Sequence, residues 1–179
     1  MAELTVSGTT HPILKDDYAS EWMGIEVVAL DDGHATIRMA LRQEMLNGFG
    51  MAHGGMIFAF GDTAFALACN PANPKPGEAG IDTGSITVAS GVDINFLQPA
   101  FRGQVLTAVA NRRASTGRSG LYDIQIYAAD PVTGAPAAPQ SASAGTAPVP
   151  TVPGELPTDI PRGELVAEFR GRSRTISKK

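Results

Sequence analysis

The chain is short of cysteine, of charge and of long apolar runs, and each shortage removes a class of protein. A single cysteine, Cys69, stands among 179 residues. No disulfide can form within the chain, and the expected compartment is a reducing cytoplasm. The three histidines, His11, His34 and His53, are scattered without metal-ligand spacing, so no metal site is expected. Gly61 and Asp62 interrupt the longest apolar run before it reaches the length of a bilayer span. Met1 to Thr10 carries one charge, Glu3, and lacks the basic and apolar regions of a signal peptide. No membrane partner is expected. A net charge of −4 argues against nucleic acid.

What remains is enough chain for one domain with a full core, organised around the stretch from Asn47 to Asn70. A glycine-rich approach (Asn47, Gly48, Phe49, Gly50, Met51, Ala52, His53, Gly54, Gly55) leads into an apolar run from Met56 to Cys69. Its alanines and straight-chain residues favour a helix. Because it is apolar on nearly every face, it suits a helix buried on all sides. Asp62 is its only charge, and its helical neighbours Phe58, Ala59, Phe65 and Ala66 offer no partner. A lone carboxylate there is costly unless a group from elsewhere meets it.

Around that stretch the pattern reads as helix, two strands, long helix, four strands. Residues 12–23 read as one short amphipathic helix ended by Gly24. Ile25–Leu30 and Ala35–Leu41 read as strands joined by the turn Asp31-Asp32-Gly33-His34. A loop with three prolines, Pro71 to Gly77, follows the long helix. Thr83–Leu97 reads as a strand with a bulge at Gly91, and Val105–Ala114, Leu121–Ala129 and Leu165–Ser173 as three more. Residues 130–162 hold eight of the 13 prolines among alanine, serine and threonine. Such a composition marks an insertion that cannot bury enough apolar surface to pack, read as a flexible loop or alternatively as a lid or partner-docking arm. A sheet with one helix apolar all round must wrap it or have a second subunit cover it.

Several motifs fail. Gly48-Phe49-Gly50 lacks the third glycine of a dinucleotide fingerprint, and Gly117-Arg118-Ser119-Gly120 lacks the spacing of a nucleophile elbow. Cys69 has no acid or histidine near it in sequence and reads as a core residue. Gly54 and Gly55 are different. Free N–H groups point out of a helix start, where the dipole favours negative charge, and glycine lets a carbonyl approach the backbone. They read either as an oxyanion hole or as the turn into a helix. Asp62 is open to three readings: a catalytic carboxylate, the cap of a second helix beginning at Thr63, or half of an ion pair. His53 reads as a locally bonded helix-start residue before a base, and Asn47 as a turn residue.

Asn47, Gly50, His53-Gly54-Gly55, Asp62-Thr63-Ala64-Phe65-Ala66 and Cys69-Asn70 resemble the motif of PaaI-type hotdog-fold thioesterases. Ile94-Asn95-Phe96, Pro99, Gly117-Arg118 and Phe169-Arg170-Gly171-Arg172-Ser173 fit the same family. The likeness covers 12–129 and 164–176; the 130–162 insertion departs from it. It implies an α+β hotdog fold, an antiparallel sheet wrapped around one long central helix. It also implies hydrolysis of aryl-acetyl-CoA thioesters of the phenylacetyl or hydroxyphenylacetyl type, without metal or organic cofactor. Carried over by position, Asp62 is the catalytic carboxylate, Gly54 polarises the thioester carbonyl, and Asn47 orients the thioester or water, with His53 beside them. Gly55, Phe58, Asn95, Arg118, Ser119 and Arg172 are expected to contact acyl-CoA, Arg118 first among the arginines for its phosphates. The competing functions are a non-catalytic acyl-CoA-binding or regulatory protein and a hotdog dehydratase or hydratase. Gly54 and Asp62 lie about 12 Å apart along one helix, too far for one carbonyl to touch both. The expected active unit is therefore a homodimer of antiparallel helices; the assembly expected is a homotetramer, a dimer of dimers.

Overall fold

Alternating side chains build strands on both sides of the long helix, and the sheet they form is what holds that helix. In the computed structural model, which describes residues 11–74, 84–131 and 163–178, the elements are α1 (Tyr18–Met23), β1 (Glu26–Asp31), β2 (His34–Ala40), α2 (Gly54–Cys69), β3 (Ser85–Phe96), β4 (Val105–Thr116), β5 (Ser119–Ala129) and β6 (Glu164–Ser177). The six strands form one sheet in the order β1-β2-β4-β5-β6-β3, every neighbouring pair antiparallel. This is the α+β arrangement expected. α2 crosses one face and touches all six strands.

Ile37, Met39, Leu106, Ile124, Ile126 and Phe169 from the sheet meet Phe60, Ala64, Phe65 and Leu67 from α2, all almost wholly buried. Phe65 packs edge-on against Tyr122, ring centroids 5.3 Å apart. Each large apolar side chain buried this way is worth about 1.5–3 kcal/mol, so packing on the sheet outweighs helix propensity in holding α2. The helix runs unbroken through Gly61 and Asp62, which overturns the reading of Asp62 as the cap of a second helix. Gly61 answers a packing need: a Cβ there would stand 3.1 Å from Phe169 Cδ2 and 3.2 Å from Ile126 Cδ1.

Among the described residues a single sheet covers one side of α2, which leaves the other side open to a second subunit, the second of the two ways expected for burying it. Gly55 is exposed, and Met56, Phe58, Ala59, Asp62, Thr63 and Ala66 are half-buried. Two expectations are corrected. The helix read over 12–23 divides: Pro12–Leu14 makes one 3-10 turn, Asp16 takes a φ of 62°, and α1 starts afresh behind Asp17. The Asp17 carboxylate accepts the Ser20 N–H at 3.1 Å, a cap that aspartate favours over a helix interior. The six-residue connection read between β4 and β5 shrinks to Gly117-Arg118, because Ser115 pairs with Gly120 and Thr116 with Ser119. The bulge at Gly91 is present: Ala89 faces Ser173 and Gly91 faces Arg172, with Ser90 unmatched between them. β6 continues past Ser173 to Ser177, paired with β5 on one side and β3 on the other. The insertion from residue 132 onward, the loop at 75–83 and the first ten residues lie outside the described residues. No helix among the described residues is long and apolar enough to cross a membrane.

Candidate active site

Asn47 organises the loop that delivers the chain to α2. Its Oδ1 accepts the N–H of Phe49 at 2.9 Å and of Met51 at 3.3 Å, and its own N–H donates to the Met51 carbonyl at 2.8 Å. The loop is fastened to the segment after β3, where the Ala52 N–H donates to the Ala100 carbonyl at 2.8 Å and Met51 bridges Phe101. His53 then caps α2 from an extended backbone (φ −66°, ψ 130°), its Nδ1 accepting the Gly55 N–H at 3.0 Å. A nitrogen that accepts is unprotonated, so this side of the imidazole is committed to the cap. The Gly54 N–H is the first of the helix. It has no acceptor within α2 and none among the other described residues, and the positive end of the helix dipole lies there.

Asp62 lies two turns further along and is half-buried. No cation or hydrogen-bond donor among the described residues meets its carboxylate, so the ion-pair reading finds no partner there. Burial pushes its pKa above the ordinary 3.8, because desolvation disfavours the charged form. A carboxylate held this way is a stronger base than one in water. Phe58, one turn earlier, forms an apolar wall with Phe169, ring centroids 5.5 Å apart. The Thr63 hydroxyl donates to the Ala59 carbonyl at 3.2 Å and lies 3.3 Å from Ser20 Oγ. Because α2 is continuous from Gly54 to Cys69, the separation of about 12 Å between Gly54 and Asp62 holds within one chain.

The structure thus gathers Asn47, His53, Gly54 and Gly55 at the helix start, with Phe58 one turn on, and sets the other expected contacts apart. Arg118, exposed at the hairpin tip, donates Nε to the Thr175 carbonyl at 2.9 Å. With Ser119 it borders a cleft of about 310 Å³ that also reaches Ser173, Thr175 and Cys69, the last residue of α2. Burial pushes the Cys69 thiol up to about 12, where it is inert. Asn95 and Arg172 stand on the outer face of the sheet, away from α2, and Arg172 is paired with Asp93 at 2.7 Å. Among the described residues no three of His, Cys, Asp and Glu converge as a metal site. Sequence reasoning passes over Phe96 as a site residue. A Cβ on Gly54 would stand 3.2 Å from Phe96 Cζ. The signal that could have found it is the alternation Val92, Ile94, Phe96 along β3, which puts the ring on the helix side.

Residues 49–135 match the family model described as the thioesterase superfamily. Over 116 residues the chain is 38% identical to the acyl-coenzyme A thioesterase PaaI of Escherichia coli strain K12, spanning 65% of this chain and 75% of that one. It is 28% identical over 112 residues to a putative esterase of Archaeoglobus fulgidus, spanning 63% and 66% of the two. The structure of E. coli PaaI, from the phenylacetic acid degradation operon, resembles this one with a TM-score of 0.66 at 30% identity, over 95% of this chain and 92% of that one. With identity at that level across three quarters of the relative, and the same fold beneath it, the chain belongs to the PaaI-type hotdog-fold branch of the thioesterase superfamily.

Proposed function

We propose that this chain hydrolyses acyl-CoA thioesters, with aryl-acetyl-CoA of the phenylacetyl or hydroxyphenylacetyl type as substrate, in a site shared by two copies. The observation that carries the reading is the half-buried Asp62 carboxylate, which meets no partner among the described residues. The open side of α2 supports the shared site. Gly55, Ala59 and Ala66 flank Asp62 there with small side chains, so a second α2 can approach closely. In an antiparallel pair each Gly54 comes opposite the other copy's Asp62. The active unit is then a homodimer with two sites, and a homotetramer is a pair of these. A reaction on CoA and a lone buried thiol suit the cytoplasm.

In this mechanism the Asp62 carboxylate takes a proton from water as the water oxygen attacks the thioester carbonyl carbon. The Gly54 N–H of the second copy donates to the oxyanion that forms. Collapse breaks the C–S bond, and the CoA thiolate takes the proton back from Asp62. Water is the only co-reactant, and no cofactor is required. Asn47 holds the loop that fixes the helix start, and His53 holds the Gly55 N–H out of the way. Phe58 lies on the acyl side. Among the described residues Arg118 is bonded only through Nε, which leaves its terminal nitrogens for a CoA phosphate beside Ser119. Arg172, already paired with Asp93, is the weaker contributor.

Thiol release from phenylacetyl-, hydroxyphenylacetyl- and straight-chain acyl-CoAs tests the reading. Turnover is expected, fastest on the aryl-acetyl thioesters, and Asp62→Asn should lower it by about 100-fold or more. Absence of turnover on every thioester would overturn the enzyme reading. Unchanged turnover in Asp62→Asn would remove that residue from the mechanism.

A further inference from the structure

Phe96 ends β3 on the helix side of the sheet, one alternation beyond Val92 and Ile94, which pack into the core. The core does not reach it, and 53% of the residue is exposed. Its ring edge is turned toward Gly54: a Cβ on that glycine would lie 3.2 Å from Cζ and 3.5 and 3.6 Å from the two Cε atoms. The ring therefore rests close against the glycine, where a Cβ would press it back by a few tenths of an ångström, with its tip beside the backbone that carries the free N–H of the helix start. Residues 97–101 continue beside the Asn47–His53 loop, held by the Ala52–Ala100 bond and the Met51–Phe101 bridge. These bonds fix the backbone on both sides of the ring.

With Leu97 and Phe101, also exposed on the same segment, the ring offers contiguous apolar surface beside a reacting centre, which is where an occupant is expected. A carbonyl accepting from the Gly54 N–H would place its acyl carbon within a few bonds of that ring. We propose that Phe96 is a specificity-determining residue: its ring is the wall on which the acyl group packs, and the missing side chain of Gly54 sets the position of that wall. This rests on the thioesterase reading and deepens it by naming what selects the acyl group. An aryl-acetyl group offers a ring to pair with Phe96 in an offset or edge-to-face contact; an acetyl group offers almost nothing.

The test compares kcat/KM on phenylacetyl-CoA and acetyl-CoA for the wild type, Phe96→Ala and Phe96→Tyr. Phe96→Ala should lose about tenfold or more on phenylacetyl-CoA, the scale on which an apolar pocket discriminates, and less than about threefold on acetyl-CoA. Phe96→Tyr, which keeps the ring, should hold the wild-type ratio. Melting curves establish that both variants fold, which the half-exposed position favours. An unchanged ratio in Phe96→Ala, or an equal loss on both substrates, overturns the role of Phe96 and leaves the thioesterase reading standing. A wild type that cleaves none of the phenylacetyl-, hydroxyphenylacetyl- and straight-chain acyl-CoAs overturns both.

Discussion

A carboxylate half-buried without a partner costs stability, and none of the described residues partners Asp62. Its folded pKa lies above the ordinary 3.8, so between those two values the folded chain holds more protons than the unfolded one. Stability from this residue therefore falls as pH rises through that window, and at pH 7 its charge is a net cost. Asp62→Asn should melt at a higher temperature than the wild type at pH 7, with the gap closing as pH drops toward 4. Thermal melts across that range check it, and a lower melting temperature for the variant at pH 7 would show that the helix start of the second copy offsets the cost of burial. The same shift places the acid limb of kcat/KM above the ordinary carboxylate range, because the base must be ionised. Residue-scale chemistry was partly legible in the sequence: Asp62 stood out as one charge in an apolar run. Phe96 did not, because its proximity to Gly54 comes from the packing of β3 and is set by no local spacing.

At the scale of elements, the start of α2 can be tested without breaking the helix. Gly54 is the first helical residue, a position where proline is tolerated because no intrahelical bond is lost. His53 already holds the extended backbone, φ −66° and ψ 130°, that a following proline requires. Gly54→Ala adds a Cβ 3.2 Å from the half-exposed Phe96 ring but keeps the N–H, and serves as the control; Gly54→Pro removes the one N–H in question. It should fold with α2 intact by circular dichroism and lose about 100-fold or more in kcat/KM. A folded, active Gly54→Pro enzyme would mean that this N–H does no catalytic work. The helix itself was legible from composition, and the bulge at Ser90 from Gly91. Two boundaries were not. Tyr18 and Trp22 fit a helical period that the Asp17 cap overrides upstream. Ser115 and Thr116 read as loop until they are seen paired across the hairpin. In both places a hydrogen bond decided what periodicity could not.

For the molecule as a whole, alternation identifies strands but says nothing of their neighbours. β3 follows α2 in the chain, yet it lies at the far edge of the sheet beside β6, pairing Ser85 with Ser177 and Phe96 with Ala167. Among the described residues the sheet covers one side of α2 and leaves the other open, along Gly55, Ala59, Asp62 and Ala66. The central claim is that a second copy covers this side and completes the site. Mixing two inactive variants, Asp62→Ala and Gly54→Pro, under conditions that exchange subunits tests it most directly. In a mixed dimer one site receives both defects and the other neither. Random exchange of equal amounts makes about half heterodimers, each with one good site of two, so activity should return to about a quarter of wild type. Heterodimers that form, as followed by a mass tag on one variant, and yet stay inactive would contradict the shared site.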